Sequence, residues 1–120
     1  MSKVIYSRPG RIALITLNRP EVLNAIDDEM PGALSTAVAT ANADPELHVI
    51  VLSGAGEAFS AGYDLSFYAE GDGADEVTQP MSWGPLKYYA IMRRNTEHFM
   101  SLWHSAKPVI SKVQGYAVTG

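Results

Sequence analysis

The sequence contains no cysteine, and this absence excludes several classes of site at once. A disulfide framework, a cysteine-ligated zinc site and a thiol nucleophile all need a thiol. Its three histidines are His48, His98 and His104, and the last two lack the i, i+4 spacing that places two metal ligands on one helix face. We therefore expect no bound metal, and we interpret all three histidines as structural or surface residues.

Positive charge and long apolar runs are also scarce. The chain has 9 Lys and Arg against 13 Asp and Glu, a formal net charge of −4, so the clustered basic residues of a nucleic-acid interface are missing. No apolar run approaches the length of a membrane span, and the N-terminal residues do not resemble a signal peptide. These absences predict a soluble, cytoplasmic protein with neither nucleic-acid nor membrane partners.

What is present is enough apolar material for a packed core. The chain has 120 residues and is 47% hydrophobic, which suits one modest domain or part of one. Two β-rich runs, Val4–Ser7 and Arg11–Leu17, flank Arg8-Pro9-Gly10 and predict a hairpin. A loop follows in which Pro20 ends the strand, and its Val22-Leu23 pair is unusually apolar for a loop.

Two helices are predicted by apolar residues at helical spacing. Asp27 is a suitable N-cap for the first, and Pro85 suits the first turn of the second. The predicted buried positions are Met30, Leu34, Ala37, Val38 and Ala41 in the first helix, and Leu86, Tyr89, Ala90, Thr96, Phe99 and Trp103 in the second.

Further strands are expected at Val49–Leu52 and Val109–Val113. The first is a continuous apolar run, as in parallel strands covered on both faces. The order strand, strand, helix, strand, helix, strand predicts an α/β fold with parallel pairing of the last two strands. The acidic segment 67–84 between the helices is expected to be a solvated loop.

The stretch from Gly54 to Leu65 interleaves glycines with small residues after a strand, which leaves backbone N–H groups open to a ligand. A dinucleotide-binding fingerprint needs a third glycine where Phe59 stands, and no Gly-Lys-Ser/Thr follows for a phosphate loop. Two interpretations remain from spacing alone. The glycines either turn the chain or expose N–H donors for an oxyanion hole.

The order of three motifs bears on that choice. They are Leu17-Asn18-Arg19-Pro20 with Asn24-Ala25, then Phe59-Ser60-Ala61-Gly62-Tyr63-Asp64-Leu65, then Lys107-Pro108-Val109-Ile110 with Gly115-Tyr116-Ala117. Together they span nearly the whole chain, which resembles the N-terminal portion of the crotonase superfamily, the enoyl-CoA hydratase/isomerase group. The resemblance implies a crotonase-like ββα spiral fold, of which the chain at 1–120 is expected to be an incomplete, N-terminal part.

The resemblance also implies a site. Two backbone N–H groups would stabilise the thioester enolate, and motif matching puts them on Ala61 and Gly120. Val22 and Leu23 correspond to the region that contacts the CoA adenine, and the segment Ala61-Gly62-Tyr63-Asp64-Leu65 would bind the substrate, with its last three residues flanking the pantetheine and thioester. A helix-capping role is the alternative for the Asp64 side chain.

The function implied is that of an enoyl-CoA hydratase acting on acyl-CoA or enoyl-CoA, with no separate cofactor and with trimers or hexamers of the complete protein. The paired carboxylates that transfer protons lie beyond the second motif in the family, and Glu57 and Asp64 do not match them, so the 120 residues alone are expected to be inactive. Isomerase, thioesterase or decarboxylase chemistry, or a non-catalytic CoA-binding module, stays open.

Overall fold

A computed structural model of the chain describes residues 2–64 and 84–118. Almost all of the predicted acidic loop 67–84, together with Leu65 and Gly120, lies outside these ranges. In the described part, the elements in chain order are β1 (Val4–Ser7), β2 (Ile12–Leu17), a short 3-10 turn (Pro20–Val22), α1 (Met30–Ala43), β3 (Val49–Gly54), α2 (Gly84–Trp103) and β4 (Val109–Ser111).

The strands form a sheet in the order β1-β2-β3-β4. β1 and β2 pair antiparallel as the predicted hairpin, whereas β2, β3 and β4 run parallel. The predicted α/β class and the parallel pairing of the last two strands are therefore confirmed. Because the carboxyl ends of parallel strands meet at one edge, the loops that follow β2, β3 and β4 converge there.

The core lies between the sheet and α1. Alternate residues of β2 and β3 are buried, as the period of a strand requires, and α1 covers them with its apolar face. The predicted α1 face is confirmed, since Met30, Leu34, Ala37, Val38 and Ala41 are all buried. The predicted N-cap is placed two residues too early, because α1 begins at Met30 and its N-cap is Glu29; Asp27 Oδ1 nevertheless accepts the N–H groups of Glu29 and Met30 at 3.1 and 3.0 Å.

The predicted buried face of α2 is largely wrong. Leu86, Tyr89, Ala90, Thr96 and Trp103 are exposed, Trp103 by 79%, and only Phe99 packs against the core. The buried positions are Ile91 and Asn95, and His98 Nδ1 lies 2.9 Å from Ser35 Oγ of α1. The helix carries apolar residues on more than one face, so periodicity identifies the helix without showing which face meets α1.

Surface pairs agree better with the sequence. Arg93 Nε and Glu97 Oε1 lie 3.2 Å apart on an exposed face of α2, which confirms the predicted i, i+4 pair. Within the ranges 2–64 and 84–118, no helix is long and apolar enough to cross a membrane.

Candidate active site

The carboxyl edge of the sheet brings three loops together: 18–27 after β2, 55–64 after β3 and 112–118 after β4. The parallel register pairs Leu17 with Gly54 and Leu52 with Ser111, so the three loops leave the sheet side by side. The second motif lies on these loops, and the first and third motifs run from the sheet or its approach into them. The sheet topology therefore assembles motifs that are far apart in the chain.

Asn24 joins the first two loops. Its side chain is fully buried, and its Nδ2 donates to the carbonyl oxygens of Ala55 and Ala58 at 2.9 and 2.8 Å. Its Oδ1 accepts the Arg19 N–H at 2.8 Å, and its carbonyl accepts from Ser60 Oγ at 2.9 Å. One amide side chain thus satisfies backbone groups of both loops, as buried polar groups require.

Leu23 and Asn24 both have left-handed backbone conformations, with φ of 55° and 56°. This conformation is uncommon outside glycine, although asparagine adopts it more readily than most residues. The turn that results directs the Leu23 carbonyl at the next loop, where it accepts the N–H of Ala61 at 2.9 Å. The Ala61 N–H therefore points at loop 18–27.

The residues after Ala61 lie beside Ile26. The Ile26 N–H donates to the Gly62 carbonyl at 2.7 Å and the Asp64 N–H donates to the Ile26 carbonyl at 2.8 Å, which makes a parallel bridge between Ile26 and Tyr63. In a parallel bridge the central residue of this pattern turns its own N–H and C=O to the opposite side. The register therefore directs the Tyr63 N–H away from Ile26.

A second parallel bridge joins Ser60 to Ala117. The Ser60 N–H donates to the Tyr116 carbonyl, and the Val118 N–H donates to the Ser60 carbonyl, both at 3.0 Å. Close approach depends on Gly115, since its φ is +59° and a Cβ there would stand 2.1 Å from the Glu57 carbonyl oxygen. The second and third motifs are thus in direct backbone contact.

Arg19, the buried Asp27 and the partly buried Asp64 form an ionic cluster at the same edge. Arg19 NH1 donates to Asp64 Oδ2 at 3.0 Å and to the Ala25 carbonyl at 2.8 Å, and its Nε lies 3.8 Å from Asp27 Oδ2. The side chains of Arg19, Asp64 and Asp27 are 17%, 13% and 5% exposed. Lys3 Nζ adds a second cation against Asp27.

An open, mainly apolar cavity of about 420 Å³ adjoins the bridge between Ser60 and Ala117. Its wall combines the sheet, α1 and α2 with the two bridged segments. The described residues that line it include no ionisable side chain: Leu17, Ile26, Met30, Leu34, Leu52, Phe59, Ser60, Phe99, Leu102, Ala117 and Val118.

Comparison with known proteins identifies the family. The model of the enoyl-CoA hydratase/isomerase family matches residues 7–120 of the chain. The chain belongs to the enoyl-CoA hydratase/isomerase family. It is 38% identical over 115 residues to a probable enoyl-CoA hydratase of Mycobacterium tuberculosis, with 96% of this chain and 40% of the relative covered. It is 40% identical to a carnitinyl-CoA dehydratase of Salmonella arizonae, with 95% of this chain and 39% of the relative covered.

A solved enoyl-CoA hydratase structure from Mycobacterium smegmatis matches with a TM-score of 0.80 and 37% identity, covering 94% of this chain and 40% of that one. The resemblance to the crotonase superfamily and the crotonase-like fold are confirmed. The chain spans about 40% of the length of the curated relatives it matches.

Some of the site residues predicted from the resemblance lie close together at the carboxyl edge of the sheet. Gly62, Tyr63 and Asp64 lie on the segment bridged to Ile26, and the exposed Val22 lies with Leu23 on the adjoining loop. Leu65 and Gly120 lie outside the described residues.

Ala61, the predicted oxyanion donor, already donates its N–H to another acceptor. Its N–H is hydrogen-bonded to the Leu23 carbonyl and is not directed at a ligand in this conformation. The prediction came from matching the family's Ala-Gly-x-Asp-Leu motif, and a sequence motif does not report which way a peptide N–H points.

Sequence reasoning missed the pairing of Arg19 with Asp64. Both residues stand in quoted motifs, yet no short-range pattern links two charges from different loops. The pairing gives the Asp64 side chain a contact that neither the substrate-binding nor the helix-capping prediction included, since its carboxylate accepts a hydrogen bond from Arg19. In the part of the chain that the structure describes, no group of three or more His, Asp or Glu side chains is arranged to hold a metal ion.

Asp27 makes the stability of loop 18–27 sensitive to acid. Burial on its own would raise the pKa of Asp27, but the Lys3 hydrogen bond, the Met30 N–H and the charges of Lys3 and Arg19 outweigh burial and lower it. The hydrogen bond with Asp27 raises the pKa of Lys3 in turn. A carboxyl with a lowered folded pKa stabilises the protein above its unfolded pKa of about 4 and loses that contribution as the pH falls through the folded value.

We expect Asp27→Asn to lower the free energy of unfolding at pH 7 by about 1–3 kcal/mol, because it removes the charge that Lys3 and Arg19 face. The difference from wild type should shrink below about pH 4, where the wild-type carboxyl itself becomes protonated. Urea unfolding between pH 2 and 7 measures this, with Asp28→Asn at an exposed neighbouring position as the control. A difference that does not change with pH would contradict this origin.

Proposed function

We propose that the complete protein binds an acyl-CoA thioester, polarises its carbonyl with backbone N–H groups and adds water to a 2-enoyl-CoA. The observation that carries the proposal is the bridge between Ser60 and Ala117, which joins the two motif segments expected to supply those groups. Fixed backbone dipoles stabilise an enolate oxygen because they need no reorientation as the charge develops. The family membership of the chain supports the same chemistry.

Within the first segment, the hydrogen bonds favour Tyr63 over Ala61 as the donor. The N–H groups of Ala61 and Asp64 face loop 18–27, where they meet the Leu23 and Ile26 carbonyls. The Gly62 N–H donates to Ser60 Oγ at 3.1 Å. The Tyr63 N–H is the one that the bridge register turns to the other side. Gly120, two positions beyond the described segment, stays the predicted second donor.

Two observations support binding of the CoA adenine and of the acyl group. Val22 is 40% exposed on the loop predicted to contact the CoA adenine, which suits an apolar contact with a planar base. The cavity beside Ser60 is lined by apolar residues, and its volume suits a small acyl group. No separate cofactor is needed for this chemistry, and assembly into trimers or hexamers stays a prediction.

The described residues do not identify the groups that transfer protons, and those groups decide which reaction follows. No ionisable side chain stands among the described residues that line the cavity, and Asp27 and Asp64 both face Arg19. We infer that general acid and base groups come from residues other than those that line the described part of the cavity. With different groups there, the same N–H donors serve an isomerase, a thioesterase, a decarboxylase or a non-catalytic CoA-binding module.

The test combines binding with turnover in the complete protein. Isothermal titration with acetyl-CoA measures thioester binding, and the loss of enoyl-thioester absorbance with crotonyl-CoA measures hydration. We expect saturable binding together with hydration. Binding without hydration supports one of the alternatives, and absence of binding contradicts the proposal. The 120-residue chain, assayed alongside, is expected to lack hydratase activity.

A further inference from the structure

Arg19 lies where the first loop meets the segment that carries the candidate donor. Through NH1 it reaches the Ala25 carbonyl in its own loop and the Asp64 carboxylate in the other. Asp64 is the residue directly after Tyr63, and its backbone N–H is bonded to Ile26. Arg19 therefore holds the side chain of a residue whose main chain is already attached to the same loop.

The geometry depends on the shape of the guanidinium as well as on its charge. NH1 serves two acceptors while Nε faces Asp27 Oδ2 from the other side of the group. A planar fork holds several acceptors at fixed relative positions, whereas an ammonium acts as a compact point charge on a flexible stem. The low exposure of all three side chains strengthens these contacts, since screening by water is reduced.

The backbone of Arg19 adds to this arrangement. Its N–H donates to Asn24 Oδ1, and its carbonyl accepts the N–H groups of Val22 and Asn24 at 3.0 and 2.8 Å. The same residue therefore shapes the turn that is expected to contact CoA and holds the neighbour of Tyr63. One residue therefore contacts both the turn, through its backbone, and Asp64, through its side chain.

We propose that Arg19 is a positioning residue that, together with the bridge to Ile26, holds the segment bearing the Tyr63 N–H in place relative to a thioester carbonyl bound at this edge of the sheet. The inference rests on the proposed function. Arg19 touches neither substrate nor reacting atoms in this role, and it acts through Asp64. A displacement of about 1 Å in a reacting geometry lowers rates by up to about 100-fold, so a small change at Arg19 is expected to have a large kinetic effect.

The test uses Arg19→Lys in the complete protein, because the charge is kept and only the fork is lost. We expect kcat for crotonyl-CoA to fall about 10- to 100-fold, with a much smaller change in KM. The infrared carbonyl band of a bound, unreactive acyl-CoA reports the hydrogen bond to the oxyanion donors. In the variant that band should move back toward its frequency in water. This readout concerns bound molecules only, so a lower folded fraction does not affect it.

Arg8→Lys is the matched control, because Arg8 NH2 also faces two carboxylates, Asp44 at 3.0 Å and Glu46 at 3.2 Å, away from the three loops. It should leave kcat and the carbonyl band unchanged. If Arg19→Lys fails to fold, Asp64→Asn decides the matter, since it removes the charge that Arg19 holds and should shift the band in the same direction.

The outcomes separate the two proposals. A wild-type protein that binds no acyl-CoA defeats the proposed function and this inference with it. A wild type that binds and shifts the band, together with Arg19→Lys and Asp64→Asn variants that match it in band position and kcat, overturns the positioning role alone. Loss of the band shift in either variant, with Arg8→Lys unchanged, supports it.

Discussion

Replacing the Tyr63 peptide N–H by an ester oxygen is expected to lower kcat of the complete protein by about 10²–10³-fold, the effect of removing one oxyanion donor. The ester is introduced as the α-hydroxy analogue of tyrosine, which keeps the side chain and the trans backbone. The exchange removes the donor and also weakens the Gly62 carbonyl, which accepts the Ile26 N–H. Crotonyl-CoA hydration over a range of substrate concentrations measures the effect, because loss of a donor that acts only in the transition state lowers kcat and kcat/KM equally.

The same exchange at Ala61 is the matched control and has a different expected result. The Ala61 N–H donates to the Leu23 carbonyl, so an ester there removes a structural hydrogen bond of about 0.5–1.5 kcal/mol. We expect lower stability in urea and only a modest decrease in kcat. The reverse pattern, with a large kinetic loss at 61 and none at 63, would return the donor role to Ala61.

Asn24→Asp is expected to destabilise the complete protein by about 3 kcal/mol or more, the sum of leaving two buried acceptors without donors. The Nδ2 group of Asn24 serves the carbonyls of Ala55 and Ala58. A carboxylate of the same shape offers no hydrogen to either and adds repulsion between oxygens. Because Asn24 is fully buried, water does not replace the lost donor.

Urea unfolding at pH 7 measures the loss, and its pH dependence identifies the cause. The introduced carboxyl is better tolerated when protonated, since it then has a hydrogen to donate, so the penalty relative to wild type should decrease as the pH falls. Asn18→Asp is the control, because Asn18 Nδ2 donates to the Ser2 carbonyl at an exposed site. Equal penalties at the two positions would show that Asn24 does not link the loops.

Local patterns account for most of the fold that could be predicted. The hairpin, the buried face of α1, and the parallel pairing of β3 and β4 follow from turn residues, apolar spacing and chain order. The face of α2 could not be predicted in the same way. Its apolar residues surround the helix, so packing against α1 decides the buried positions, and Ile91 and Asn95 hold them.

In the candidate site, too, some features could be predicted from the sequence and others depend on packing. The order of the motifs predicted which loops form the site, because the loops that follow parallel strands lie at a common edge of the sheet. The direction of each N–H depends on Leu23 and Asn24 adopting left-handed conformations, which no propensity for leucine predicts. The contact of Arg19 with Asp64 and the shape of the cavity likewise depend on packing between distant residues, and they appear only in three dimensions.

The bridge between Ser60 and Ala117 has a consequence for the order of events in folding. It closes a loop that contains all of α2 and β4, and closing a long loop costs chain entropy before its contacts form. The hairpin and α1 rely on earlier, shorter-range contacts, so they can form while the chain is still being synthesised. We expect residues 114–118 to reach their partners after β4 has joined the sheet. The backbone groups proposed to receive the thioester therefore come together among the last steps of folding, when the framework around them already exists.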